Sequence, residues 1–334
     1  MGFDMLRLES SHRAGRASVW TAALLGAATM VGALPAGGAE PEQRASLVPR
    51  DALFASPTYS ELQISPDGKQ LAFLHPLNGV LNVWVAPLND PKAATPVTRF
   101  DTRPPDSFQW SPDGGYILVL KDVGGEEHSQ LWVANLEKRT VVNVTADPAV
   151  QTKIVKVSKR RPGEILVGMN IRDRRYRDIY RIDLATGQRT EVLRNERNYI
   201  DVVADPDFNI RLGVRGNVDG SSTYFRLGPA GPSEFMTIPL ASLRNSKILG
   251  LDGAGKLLMF DSRTSDKAGL VSVDLTTGKQ TVLASAGRAD IVDTLFDEAS
   301  GTLFATREDP LVSEWTERSD EVRAEFAALQ AAAA

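Results

Sequence analysis

Ile64-Ser65-Pro66-Asp67-Gly68-Lys69 is followed by the apolar run Leu71-Ala72-Phe73-Leu74, and 46 positions later Trp110-Ser111-Pro112-Asp113-Gly114-Gly115 is followed by Tyr116-Ile117-Leu118-Val119-Leu120. A second landmark repeats with the same period. Asn82-Val83-Trp84-Val85-Ala86-Pro87-Leu88 aligns with Gln130-Leu131-Trp132-Val133-Ala134-Asn135-Leu136, then with Asp178-Ile179-Tyr180-Arg181-Ile182-Asp183-Leu184. Thr223-Tyr224-Phe225-Arg226-Leu227 and Gly269-Leu270-Val271-Ser272-Val273-Asp274-Leu275 continue the series. Its central residues, Trp84, Trp132, Tyr180, Phe225 and Val271, are separated by 48, 48, 45 and 46 positions. A fixed period of this length marks a stacked array of supersecondary units.

Each unit divides into four short strands. In the first they are expected near 60–65, 70–76, 81–88 and 96–100. Asp-Gly after the first strand is expected to supply the pair of positive-φ residues of a tight hairpin, and Thr186-Gly187 and Thr277-Gly278 turn the third strand into the fourth. Four strands per unit at this period indicate an all-β β-propeller. A blade is apolar on both faces and is stable only between neighbours, so the central residue of the third strand is the natural filler between blades. Five blades are expected, near 58–100, 105–145, 152–194, 198–240 and 245–285, with a partial sixth from about Asp290. Thr302–Arg307 reads as its second strand and Glu314-Trp315 falls where its third should run. From Ser319 the pattern becomes helical: a capping Ser, Asp320 and Glu321 in the first turn, and Val322, Phe326 and Leu329 at helical spacing.

Residues 1–39 read as an export signal. Arg13 and Arg16 precede an uncharged run from Ala17 to Leu34, and Gly37 and Ala39 occupy the −3 and −1 positions before Glu40. The expected organisation is a signal peptide at 1–39, a lead-in at 40–57, the incomplete propeller at 58–318 and a helical tail at 319–334, in a periplasmic or secreted protein without a membrane span after signal removal. The chain has no cysteine, which excludes disulfides, thiolate metal sites and a cysteine nucleophile. Its net charge of −4, with acids and bases interleaved, lacks the basic face that a nucleic-acid partner requires. The three histidines and the absence of a recurring inward carboxylate argue against a metal-dependent propeller enzyme, and no cofactor or metal site is expected.

The Ser-Pro-Asp-Gly opening occurs in many exported propellers, including TolB-like ones. The wider stretch Leu47-Val48-Pro49-Arg50-Asp51-Ala52-Leu53-Phe54-Ala55-Ser56-Pro57, with Gly79–Val85, Gly124-Gly125-Glu126-Glu127 and Glu314-Trp315 followed by Phe326–Leu329, resembles the N-terminal propeller of the prolyl oligopeptidase family of serine peptidases. The likeness is to the branch with acylaminoacyl-peptidase and dipeptidyl-peptidase-like members. The resemblance implies a propeller that caps an α/β-hydrolase domain, restricts entry to short peptides and relies on that domain for serine, aspartate and histidine. The string Gly-x-Ser-x-Gly that carries such a nucleophile does not occur here, and the histidines are only His12, His75 and His128. No residue of this chain is therefore expected to be catalytic, and by itself it is expected to be inactive: a fragment, a truncated product or a separately encoded propeller. The alternative is a free-standing TolB-like periplasmic propeller that binds a protein or peptide.

The Ser65/Asp67 and Ser111/Asp113 pairs read as turn residues, and His75 and His128 as strand-end and loop residues. The most distinctive surface feature is the run Arg172-Asp173-Arg174-Arg175-Tyr176-Arg177. It lies between the second and third strands of the third blade, where the second blade carries Glu126 and Glu127. Loops of this class share one face of the disc. Glu126, Glu127, Arg172, Arg174, Arg175 and Arg177 are therefore candidates for an inter-blade ion network or a contact with the hydrolase domain, against the simpler reading of a solvated charged hairpin.

Overall fold

The computed structural model describes residues 48–50, 58–122, 124–125, 128–298 and 300–333. The expected signal peptide at 1–39 and most of the lead-in at 40–57 lie outside the described residues. From Ser60 onward the chain forms six sheets in sequence order. Blade 1 is β1 (Ser60–Ile64), β2 (Gln70–Leu77), β3 (Val80–Pro87) and β4 (Thr95–Pro96); blade 2 is β5 (Ser107–Trp110), β6 (Tyr116–Asp122), β7 (Ser129–Asn135) and β8 (Thr140–Asn143). Blade 3 is β9 (Thr152–Val157), β10 (Glu164–Asp173), β11 (Tyr176–Asp183) and β12 (Arg189–Leu193). Blade 4 is β13 (Asp201–Ala204), β14 (Ile210–Gly216), β15 (Ser222–Arg226) and β16 (Ser233–Ile238). Blade 5 is β17 (Lys247–Leu251), β18 (Leu257–Asp261), β19 (Gly269–Val273) and β20 (Gln280–Ala284). Blade 6 is β21 (Ile291–Asp297), β22 (Thr302–Glu308) and β23 (Glu314–Glu317).

Every sheet is an antiparallel meander with its strands in sequence order, four in blades 1–5 and three in blade 6. Contacts join β9 to β13 and β13 to β17, so the first strands of blades 3, 4 and 5 are their innermost and line the axis. The all-β propeller expected from the repeat, with its incomplete sixth unit, is the fold observed. After β23, Ser319 Oγ accepts the Glu321 N–H, a single 3-10 turn follows at Asp320–Val322, and α1 runs from Arg323 to Ala333.

Period-two alternation distributes the core. In β6, Ile117 and Val119 pack with Ala72, Leu74 and Val83 of blade 1, while Leu118 between them packs with Ile165, Val167 and Met169 of blade 3. In β10, Val167 faces blade 2 and Leu166 faces Val202 and Ala204 of blade 4. The third-strand fillers follow one rule: Trp132, Tyr180, Phe225 and Val271 each join the cluster shared with the preceding blade. At the same position of blade 1, Trp84 lies edge-on to His75, with ring centroids 5.2 Å apart, and His75 stacks on Tyr59 at 5.0 Å. Burying such side chains contributes about 1.5–3 kcal/mol each, which is why units of this composition assemble rather than stand alone.

Two local expectations need correction. At the first hairpins only the glycines adopt positive φ, Gly68 at 72° and Gly114 at 73°. Asp67 and Asp113 instead act through their side chains: each accepts a hydrogen bond from the preceding Ser Oγ, at 2.6 and 2.5 Å, and one from a backbone N–H two residues on. A longer turn needs only one left-handed residue when side chains satisfy its backbone donors. The fourth strand of blade 1 is also shorter than expected, because the chain beyond Pro96 bends to bond with buried Asn82. Thr98 Oγ1 accepts from Val83 N–H and donates to Asn82 Oδ1, and Phe100 N–H donates to the same oxygen at 2.7 Å.

Candidate functional site

Strand direction decides which loops meet. Antiparallel order places every connection between second and third strands, together with every link from one blade to the next, at one end of the blades. This end is called the upper face here. The Ser-Pro-Asp-Gly turns and the connections between third and fourth strands lie on the lower face.

The upper face is held by arginine–carboxylate clamps. Arg172 donates through Nη2 and Nε to the two oxygens of Asp178, at 2.7 and 3.0 Å, and through Nη2 to Asn195 O at 3.0 Å. Burial favours the neutral acid at Asp178, but the Arg172 hydrogen bond, the Asn195 N–H and the guanidinium charge outweigh it and hold the carboxyl below its ordinary range. Arg175 pairs with Asp173 at 3.0 Å and lies over the Tyr176 ring. Hydrogen bonds from Arg175 keep Asp173 ionised below the ordinary range. Arg174 donates to Ala149 O, and Arg177 reaches Gln151 Oε1 at 2.5 Å. The four candidate arginines thus gather round the β10–β11 hairpin and the link that enters blade 3, whereas Glu126 and Glu127 lie outside the described residues. On blade 2, Arg103 approaches Asp122 at 3.5 Å. On blade 5, Arg263 grips Asp261 with two bonds of 2.8 Å.

Between blades 3 and 4 the same face opens into a cleft of about 500 Å³ lined by Tyr176, Glu196, Arg197, Asn198, Ile200 and Arg215. Arg215 is steadied over the Phe225 ring at 4.9 Å and by Arg197 O at 3.3 Å. Asn198 is left-handed, with φ of 59°, and turns the chain into blade 4. Arg197 and Arg215 bring two guanidiniums and Glu196 one carboxylate to the lining of this cleft. The cleft holds no serine, cysteine or histidine. Among the described residues no group of three or more His, Asp or Glu side chains has the placement to hold a metal.

The Ser–Asp pairs are confirmed as turn staples on the lower face. His75, expected at a strand end, lies within β2, which continues through Pro76 to Leu77, and its Nδ1 is 2.7 Å from Thr58 O. A further regularity runs through the third strands. Asn82, Gln130, Asp178 and Thr223 occupy one repeat position and are all buried, and Asn82, Gln130 and Asp178 each bond to the chain that returns along the outer strand. Thr223 does so through Thr237 Oγ1. Polar residues recurring at one register inside apolar strands were the available signal.

No family model matches the chain. It is 38% identical over 287 residues to dipeptidyl aminopeptidase BIII of Pseudoxanthomonas mexicana, covering 85% of this chain and 42% of that protein. It is 28% identical over 188 residues to dipeptidyl peptidase family member 6 of Caenorhabditis elegans, covering 54% of this chain and 25% of that one. Among solved structures, the acylaminoacyl peptidase of Pyrococcus horikoshii superposes with a TM-score of 0.49 at 16% identity, over 81% of this chain and 46% of that one. The chain spans less than half the length of each of these relatives.

Proposed function

Given that this chain fits the propeller region of a prolyl-oligopeptidase-family peptidase, we propose that it serves as the access-restricting part of an exported enzyme of that kind, with short peptides as substrates. The reading is carried by 38% identity to a dipeptidyl aminopeptidase over 85% of the chain, confined to 42% of that enzyme's length. The bond-breaking residues then belong to an α/β-hydrolase domain rather than to the propeller.

The upper face is the natural seat for such a domain. Its loops carry fixed charges at Arg172, Arg174, Arg175 and Arg177, and the cleft beside Arg215 adds a concave polar rim. Charged groups pre-positioned by clamps lose little conformational entropy when a partner docks, so they favour a defined orientation. Export is part of the proposal and rests on the Arg13/Arg16-flanked apolar run near the N-terminus.

The test is immunoprecipitation from the native host with an antibody against residues 58–298, followed by a serine-directed fluorophosphonate probe. A labelled polypeptide well above 36.2 kDa supports the proposal. An unlabelled polypeptide at or slightly below that mass, with no labelled protein co-purifying, overturns it.

A further inference from the structure

Blades 4 and 5 stand between blade 3 and blade 6 along the propeller. A direct bond between the first strands of blades 3 and 6 has to cross the axis. One exists. Lys156 on β9 donates to both carboxylate oxygens of Glu298, just beyond β21, at 2.9 and 3.1 Å. The Lys156 side chain is only 14% exposed and that of Glu298 36%.

The crossing is fixed at both ends. Glu298 O accepts the Gly253 N–H of blade 5 at 2.7 Å. Arg160, on the turn that follows β9, donates to Gly253 O at 3.3 Å and to Asp207 of blade 4 at 2.9 Å. Gly250 of β17 passes beside the pair: a Cβ built there lies 3.6 Å from Glu298 Oε1 and 3.8 Å from Lys156 Nζ. The lower ends of blades 3, 4, 5 and 6 are therefore tied through one set of polar contacts about the axis.

Nearer the upper face the inner strands carry a second layer of charge. Lys153, Asp201, Lys247 and Asp293 occupy the inner strands of blades 3, 4, 5 and 6 and alternate in sign. Lys153 bonds to Asp201 at 2.8 Å, and Asp293 lies 3.4 Å from Arg307. Burial pushes the Lys247 ammonium below its ordinary range, with the Asp293 charge opposing that shift and the Lys153 charge adding to it.

We propose that the Lys156–Glu298 pair is a bar across the lower mouth of the propeller channel, which leaves the channel a blind well open only to the upper face. A peptide then has no straight passage through the disc. If a hydrolase domain covers the upper face, substrate reaches it from the side; that consequence rests on the peptidase reading, whereas the bar does not.

Carbodiimide treatment of the unaltered chain tests the bar directly, since it joins an ammonium to a carboxylate only when the two are in contact. Peptide mapping is expected to find an amide between Lys156 Nζ and the Glu298 side chain. Hydrogen exchange is the second measurement. In Glu298→Gln and in Lys156→Met, exchange at Gly253 and through 158–161 is expected to rise several-fold, with the upper layer at 151–153 unchanged. Absence of the crosslink overturns the proposal, and so does a crosslink accompanied by unaltered exchange in both variants. Should either variant fail to fold, the crosslink in the unaltered chain still decides. A bar that fails these tests leaves the peptidase reading standing, and a bar that passes survives an unlabelled 36.2 kDa protein in the host.

Discussion

Arg263→Met is the substitution whose outcome the structure defines most sharply. Asp261 ends β18 with its side chain 2% exposed, and the Arg263 side chain is 20% exposed. The carboxylate receives two guanidinium bonds at 2.8 Å, the Arg263 N–H at 3.0 Å and the Gln280 amide at 3.2 Å. Removing the guanidinium leaves a buried charge with two neutral donors. Breaking a buried pair from one side costs about 3–5 kcal/mol, and the surviving donors place this case near 3 kcal/mol. In a unit of this size that corresponds to a fall in Tm of roughly 5–10 °C. Burial pushes the Asp261 carboxyl up, while the Arg263 bonds and charge pull it further down, so its folded pKa lies below the unfolded one. A depressed carboxylate contributes stability above its unfolded pKa, near 4, and loses it as pH falls through the folded value. Without Arg263 burial dominates and the carboxyl is raised. The gap between parent and variant should therefore be widest at pH 7 and narrow towards pH 4. Urea melts at both pH values measure it, and Asp261→Asn/Arg263→Met should recover part of the loss because no uncompensated charge remains. A gap that does not change with pH would refute the argument that an unpaired buried carboxylate causes the loss.

Gly213→Ala should cost about 1–3 kcal/mol by overpacking, because its Cβ would stand 2.7 Å from the buried Tyr199 ring, and Tyr199→Leu in the same chain should relieve part of it in urea melts. Met259→Ala, at a fully buried site between blades 4 and 5, should lose about 2–5 kcal/mol, whereas Val282→Ala on the outer strand of blade 5, 60% exposed, should stay within about 0.5 kcal/mol. Gly278→Ala should cost about 1–2 kcal/mol through backbone strain alone, since φ is 75° and no atom lies within 4 Å of the added carbon. Gly163→Ala, equally open but without a positive φ, is the control and should be neutral or mildly stabilising.

Much of the architecture is legible in the sequence. The recurrence of Trp84, Trp132, Tyr180, Phe225 and Val271 implied the blades, and the adjacent apolar runs implied strands buried on both faces. The helical tail was also legible, since Ser319, Asp320 and Glu321 are local start signals. The ends of elements were less so. Nothing near Pro96 in sequence reveals that Thr98 and Phe100 will leave the sheet for Asn82, because the bond joins residues 16 and 18 positions apart. The arginine run was visible as composition, but Asp178 as the partner of Arg172 and Ala149 as that of Arg174 became visible only once strands were in register.

What the sequence by itself determined is what depends on local pattern and period: alternation sets which side chains face each neighbour, and glycine and short polar residues set the turns. Tertiary structure alone decided which charges meet. Lys156 and Glu298 lie 142 positions apart and carry no shared motif. Asp261 is the last residue of β18, and nothing in the local sequence marks it as closed off from water. Ionic contacts depend on distances of a few ångströms and on the local dielectric, and neither exists for a chain until the blades close around their axis.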